Sequence, residues 1–286
     1  MTVIRHAQRQ HSAKRVNAVN STLIFTGPTA RVIDYLVVAS GGSGAGYGSS
    51  VGGGGAGGGG LLAGNVIGNQ SVVFTITVGA SSAGVGSNLS GVKGSNSSIS
   101  SSALTAIAIG GGNGSFWIGD GPGNGGSGGG TTGASQGASA MIAGKGIYPG
   151  STFVDGPRQG YDGALGTGQL GGTGCSGGGG GGATAAGSGS SGGAGYTSSI
   201  SGTSTTYSSG GSGSAGGFGS SDVSATFGGG GRGATSSYSE GGGPGIVILR
   251  YPDSFPAASN TTGSPNVTVS GGYRIYKFTA SGTLTV

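Results

Sequence analysis

Charge is what this chain most conspicuously lacks. Only 7% of its 286 residues are Asp, Glu, Lys or Arg, while mean hydropathy is +0.05. Disordered chains combine low hydrophobicity with high charge, so a solvated disordered coil is excluded. Cys175 is the single cysteine, which rules out an intrachain disulfide and a cysteine-built metal centre. It reads as a small filler in a Gly/Ser setting. Histidine is confined to His6 and His11. With no Cys or acid near them, they read as plain polar residues rather than metal ligands or a pH switch.

The same scarcity weighs against catalysis. G-x-S-x-G occurs at 125–129 and 133–137, but a nucleophile elbow needs a strand, a turn and a helix with a His and an acid nearby. No helical periodicity is present. G-x-G-x-x-G patterns recur without a βαβ unit and carry no information. No enzyme activity, metal or cofactor is expected. No run approaches the ~18 apolar residues of a membrane helix, and no apolar secretory leader is visible, so a membrane-spanning chain is not expected. Proline numbers only 8, and the glycine runs at 52–55, 57–60 and 177–182 break any G-X-Y period, which excludes collagen. The glycosylation sequons at Asn69, Asn88, Asn96, Asn260 and Asn266 follow from abundant Ser and Thr.

Glycine is what the chain has, with 77 residues. Gly/Ser/Ala tracts fill 40–60, 110–140, 163–195, 208–220 and 228–245. They are either flexible linkers or polyglycine II helices, extended threefold chains that bond to one another. Ordering glycine is costly in entropy, and only close backbone packing offsets it. Five long unstructured loops within one chain are hard to reconcile with a compact domain. The packed lattice is therefore the expected state.

Large apolar residues cluster between the tracts. Residues 32–39 form a continuous apolar run, with Ile33, Tyr35 and Val37 on one face and Leu36 and Val38 on the other, so a strand covered on both sides is predicted. Residues 71–78 alternate cleanly and place Val72, Phe74, Ile76 and Val78 on one face. Further strands are predicted at 22–26, 103–109, 200–207 and 246–251, with a small meander at 267–269, 273–279 and 283–286. The fold class is mainly β: a small sheet layer or sandwich combined with packed polyglycine II tracts and almost no helix. The division predicted is a basic arm at 1–20 and a glycine-rich β domain at 21–286. Within that domain, 40–245 form the glycine-rich body and 246–286 the closing strands.

The net charge of +5 is uneven. Arg5, Arg9, Lys14, Arg15 and Arg31 precede the first acid, Asp34. The arm lacks the interleaved aromatics of base stacking, so attachment to a protein assembly is favoured over nucleic acid. Aromatic interruptions of the glycine body are the candidate recognition residues. Phe116 and Trp117 form one group, followed by Asp120. Lys145, Tyr148, Phe153, Asp155, Arg158, Tyr161 and Asp162 form another. Aromatic faces beside polar groups bury area at low entropy cost, as shallow sugar or peptide sites require. The alternative is that these rings fill gaps between glycine layer and strands.

Three segments carry a resemblance. Residues 32–44 read VIDYLVVASGGSG, 243–252 read GPGIVILRYP, and 267–286 read VTVSGGYRIYKFTASGTLTV. In order and spacing they resemble the glycine-rich domain of tailed-phage structural proteins over roughly residues 21–286. The resemblance implies a virion protein of tail-fibre or adhesin type, with polyglycine II tracts beside strands. It also implies a homo-oligomer in the particle, a host surface glycan or outer-membrane protein as receptor, and a virion anchor at Arg5, Arg9, Lys14 and Arg15 that docks on other virion proteins. A capsid or tail decoration protein without a receptor is the alternative. A secreted cell-wall glycine-rich protein is disfavoured by the absence of a leader.

Overall fold

The computed structural model describes residues 30–46, 52–68, 71–117, 123–133, 142–154, 156–168, 175–214, 223–235 and 238–286. The predicted strand at 22–26 and the basic arm lie outside them. Among the described residues there is no helix, and twelve strands form three antiparallel sheets. They are β1 (Arg31–Val38), β2 (Leu61–Gly68), β3 (Val73–Thr77), β4 (Ser97–Ser100), β5 (Thr105–Ala108), β6 (Tyr196–Ser198), β7 (Thr205–Tyr207), β8 (Ile246–Pro252), β9 (Asn260–Thr261), β10 (Asn266–Ser270), β11 (Tyr273–Phe278) and β12 (Gly282–Thr285). One sheet has the order β10-β11-β8-β1-β2, the second β5-β4-β3-β12-β9, and β6-β7 is a separate hairpin.

The two large sheets face each other across one core. Ile33 and Val37 of β1 meet Phe74 and Ile76 of β3, Ile99 of β4, Leu249 and Tyr251 of β8, Phe278 of β11 and Leu284 of β12. The opposite face of the first sheet is covered as well. Leu36, Val38, Ile246, Ile248 and Ile275 pack there against Ile200 and Tyr207 of the hairpin region. The uninterrupted apolar runs of β1 and β8 follow from this double burial. In β3 only Phe74 and Ile76 are buried while Thr75 and Thr77 face out, as the alternation requires.

The structure corrects the sequence reading in three places. Residues 200–207 are not one strand; a turn separates β6 from β7, because Ile200 folds under the first sheet. The tail is not a single meander. β10 and β11 pair through a Gly271-Gly272 turn with φ of +59° and +80°, conformations that favour glycine. β12 then crosses to the second sheet between β3 and β9, where Leu284 and Val286 help close the core. Arg31, read by charge with the arm, is a core residue at 3% exposure, its guanidinium 5.0 Å from the Tyr251 ring centre and 5.3 Å from that of Phe255.

Tyr251 carries a pH-dependent part of this core. Its hydroxyl lies 2.9 Å from that of Tyr276 and donates to the Pro256 carbonyl at 3.2 Å, while Tyr276 oxygen accepts from the Ala258 N–H at 2.8 Å. Burial, reinforced by the bond to Tyr276, pushes the Tyr251 phenol well above its ordinary value of 10.0. The unfolded chain therefore loses this proton first, and stability falls as pH rises past about 10. Urea midpoints measured from about pH 8 to about pH 11 are expected to decline less in Tyr251→Phe than in the parent, at a neutral-pH cost of about 1 kcal/mol.

Among the described residues, the glycine tracts bond to one another and pack as threefold helices. Tract 52–60 shows the pattern. The N–H groups of Gly53, Ala56 and Gly59 donate to Ala234, Gly231 and Gly228; those of Gly54, Gly57 and Gly60 to Ser115, Gly112 and Ile109; those of Gly55 and Gly58 to Gly178 and Gly181. Its carbonyls accept from Ala45, Gly42 and Ala39 on one side, from Gly133, Gly130 and Ser127 on another, and from Ser214 and Gly211 on a third. All these bonds measure 2.7–3.3 Å. Every third residue thus addresses the same neighbour, the period of polyglycine II, and six tracts surround this one. Tract 177–182 repeats the arrangement: Gly178 and Gly181 donate to Thr131 and Gly128, Gly179 and Gly182 to Gly189 and Ala185.

Strands and tracts are continuous. β1 runs into 39–46, 52–60 runs into β2, and β5 runs into 109–115. The lattice is therefore fixed at the ends of the sandwich strands, and segments leaving it are held at both feet.

Candidate functional site

One such segment carries the larger aromatic cluster. Residues 142–147 and 159–166 are lattice tracts. Gly125 N–H donates to the Lys145 carbonyl, Ile147 N–H to Gly126, Gly128 N–H to Tyr161, and Tyr161 N–H to Gly182. Between these feet the chain leaves the lattice. It turns at Tyr148-Pro149-Gly150-Ser151, where Ser151 N–H donates to the Tyr148 carbonyl at 2.9 Å. Gly150 has φ of +82°, so Pro and Gly occupy the two positions a type II turn demands.

Asp162 organises the charged side of this strap. Its carboxylate accepts from Lys145 Nζ at 2.9 Å, from Gly146 N–H at 2.9 Å and from the Tyr148 hydroxyl at 3.0 Å. The bond to Asp162 holds the Lys145 ammonium above its ordinary range against a smaller effect of burial. Partial burial first, then the same carboxylate, pushes the Tyr148 phenol up. Arg158 is exposed, with its guanidinium carbon 4.2 Å from the Tyr161 ring centre and 5.1 Å from that of Tyr148. Five of the predicted residues, Lys145, Tyr148, Arg158, Tyr161 and Asp162, are thereby brought together. Phe153 stands apart on the strap, its ring 6.0 Å from Lys93 Nζ. Phe116 and Trp117 pair with each other at 6.3 Å; Phe116 N–H donates to Ser90 Oγ, and Trp117 is 52% exposed. Asp120, Asp155, the anchor residues Arg5, Arg9, Lys14 and Arg15, and both histidines lie outside the described residues.

Sequence reasoning missed the residue that fixes the strap. Gln159 is buried, and every polar group it has is used. Its Oε1 accepts from Ile109 N–H at 2.8 Å and its Nε2 donates to the Ile107 carbonyl at 3.1 Å. Its own N–H donates to Ile147, and its carbonyl accepts from Leu61 N–H. A lone glutamine between Arg and Gly carries no pattern that announces this. Gln159→Ala removes the side-chain partner of the Ile109 N–H and of the Ile107 carbonyl, at about 1 kcal/mol each. A lower thermal midpoint and new protease cuts within 148–158 are the expected result; Gln159→Glu, which keeps the acceptor, is expected to fall between.

The arrangement is suited to holding a ligand by charge, ring face and hydrogen bond. Among the described residues, no three His, Cys, Asp or Glu side chains come together to hold a metal, and no helix is long and apolar enough to cross a membrane. No curated protein matches the chain. A sequence model for a glycine-rich domain matches residues 17–252, a span that takes in β1, the packed tracts and β8 but stops short of the closing strands. With well over half its length matched and its tracts interlocked, this chain belongs to the glycine-rich domain family.

Proposed function

We propose that the chain is a non-enzymatic virion protein of a tailed phage, a tail-fibre or adhesin component that meets the host surface. The observation that carries this reading is the strap at 148–158. It displays Tyr148, Phe153 and Arg158, beside Lys145, Tyr161 and Asp162 of its feet, on a lattice whose backbone polar groups are paired from tract to tract. Loops positioned by a rigid scaffold are where recognition is usually placed. The phage assignment itself rests on the three motifs quoted above. Homo-oligomerisation in the particle, and docking of the basic arm on other virion proteins, belong to the same proposal.

Antibody against the chain is expected to label the tails of intact particles and to block adsorption. Label over the capsid with normal adsorption gives the decoration role instead, and absence from particles refutes a virion role. Deletion of residues 1–20 is expected to abolish incorporation; unchanged incorporation removes the anchor assignment.

A further inference from the structure

The strap forms one wall of an open groove. Arg158 lines it together with Leu61 and Leu62 at the start of β2, Ala183 at the end of a glycine tract, and Tyr196 at the start of β6. Its volume is about 320 Å³, at the lower end of the roughly 300–1,000 Å³ of small-ligand sites. That is room for one sugar unit and its linkages.

The chemistry of the walls is specific. The Arg158 guanidinium lies over the rings of Tyr161 and Tyr148, and its fork of N–H donors suits a planar, bidentate acceptor. Among the described residues no ion pair engages Arg158. Asp162 is committed to Lys145, Gly146 and Tyr148. Tyr196 is 36% exposed, and Leu61 and Leu62 add apolar atoms to the lining. A pyranose ring bearing a carboxylate has the matching features: an apolar C–H face, hydroxyls and one planar anion.

A peptide fits less well. Extended peptides bind by adding a strand to a sheet edge. β2 is an edge strand, but Leu61 N–H already donates to the Gln159 carbonyl at 3.0 Å. The strap thus occupies that edge where the groove lies.

We propose that the groove between Arg158 and Tyr196 binds a carboxylate-bearing sugar unit of an acidic glycan. This deepens the surface-contact reading by naming the ligand class. The test uses the full chain with hyaluronan tetrasaccharide and tetragalacturonate as acidic probes, and chitotetraose as the neutral one, by calorimetry and saturation-transfer NMR. At least one acidic probe is expected to bind about tenfold more tightly than the neutral one. Arg158→Ala is expected to abolish that difference, Arg158→Lys to keep part of it, and Tyr196→Ala to weaken acidic and neutral probes alike. Both replaced side chains are exposed, and unchanged circular dichroism confirms folding. Equal binding of all three sugars, a preference that survives Arg158→Ala, or a glutamate peptide binding as tightly as the acidic sugars overturns the proposal. If adsorption is blocked by antibody while no acidic sugar is preferred, the groove assignment falls and the surface-contact reading stands.

Discussion

Gly57→Ala is expected to cost more than about 3 kcal/mol and to leave much of the protein insoluble, since whole domains are stable by only about 5–15 kcal/mol. Gly57 donates to Gly112 at 2.8 Å and accepts from Gly42 at 3.2 Å. A methyl group there would lie 2.6 Å from the Ser127 carbonyl carbon and 2.8 Å from the Gly128 oxygen, with the Ser127 oxygen nearer still. Ordinary C···O contacts are about 3.3–3.6 Å. Overpacking in cores costs about 1–3 kcal/mol when side chains swing aside. Here the obstacles are backbone, and moving them means moving tract 123–133 away from Gly52, Gly55 and Gly58, to which it donates. Gly86→Ala is the control: the nearest atom to its new methyl is a Tyr238 ring carbon at 3.5 Å. A change within about 0.5 kcal/mol is expected there. Urea midpoints and protease resistance of the two variants decide the matter. Equal behaviour would mean that the tracts need glycine for chain freedom and not for close approach.

The contrast between these two glycines also explains what the sequence conveys. That the tracts pack follows from composition and energetics. Which tract meets which does not, because glycine has no side chain to mark a register and any threefold tract can pair with any other. The strands show the same division. β1, β3 and β8 were legible because their apolar residues are continuous or alternate. β2 was not, since Leu61, Leu62 and Ala63 are followed by Gly64 and Asn65 on a largely exposed edge. Nor was β4, which presents one apolar residue, Ile99, among serines. At the site, the charged and aromatic strap stood out against a bland background. Gln159 and Tyr196 did not, because their roles depend on partners distant in sequence: Ile107 and Ile109 for the first, the Arg158 wall for the second.

Phe74→Ala is the second large effect, at about 3–5 kcal/mol for a fully buried phenylalanine. Phe74 sits opposite Leu284 in the β3–β12 pairing, within the cluster that holds Ile33, Val37 and Ala39. Ala39 is also the first lattice residue after β1, donating to the Gly60 carbonyl at 3.0 Å. Loosening the sandwich therefore loosens the foot of tract 39–46 and, through it, tract 52–60. Sandwich and lattice are expected to unfold as one unit. Trp117, the single tryptophan, reports from the end of tract 109–115, while far-UV circular dichroism weights the sheets. In Phe74→Ala both signals are expected to shift to the same lower urea midpoint. A Trp117 transition left at its parental midpoint while the dichroism falls would mean that the lattice holds without the sandwich. The glycine tracts would then be self-supporting, and the direct passage of β1 into 39–46 would not transmit stability between them.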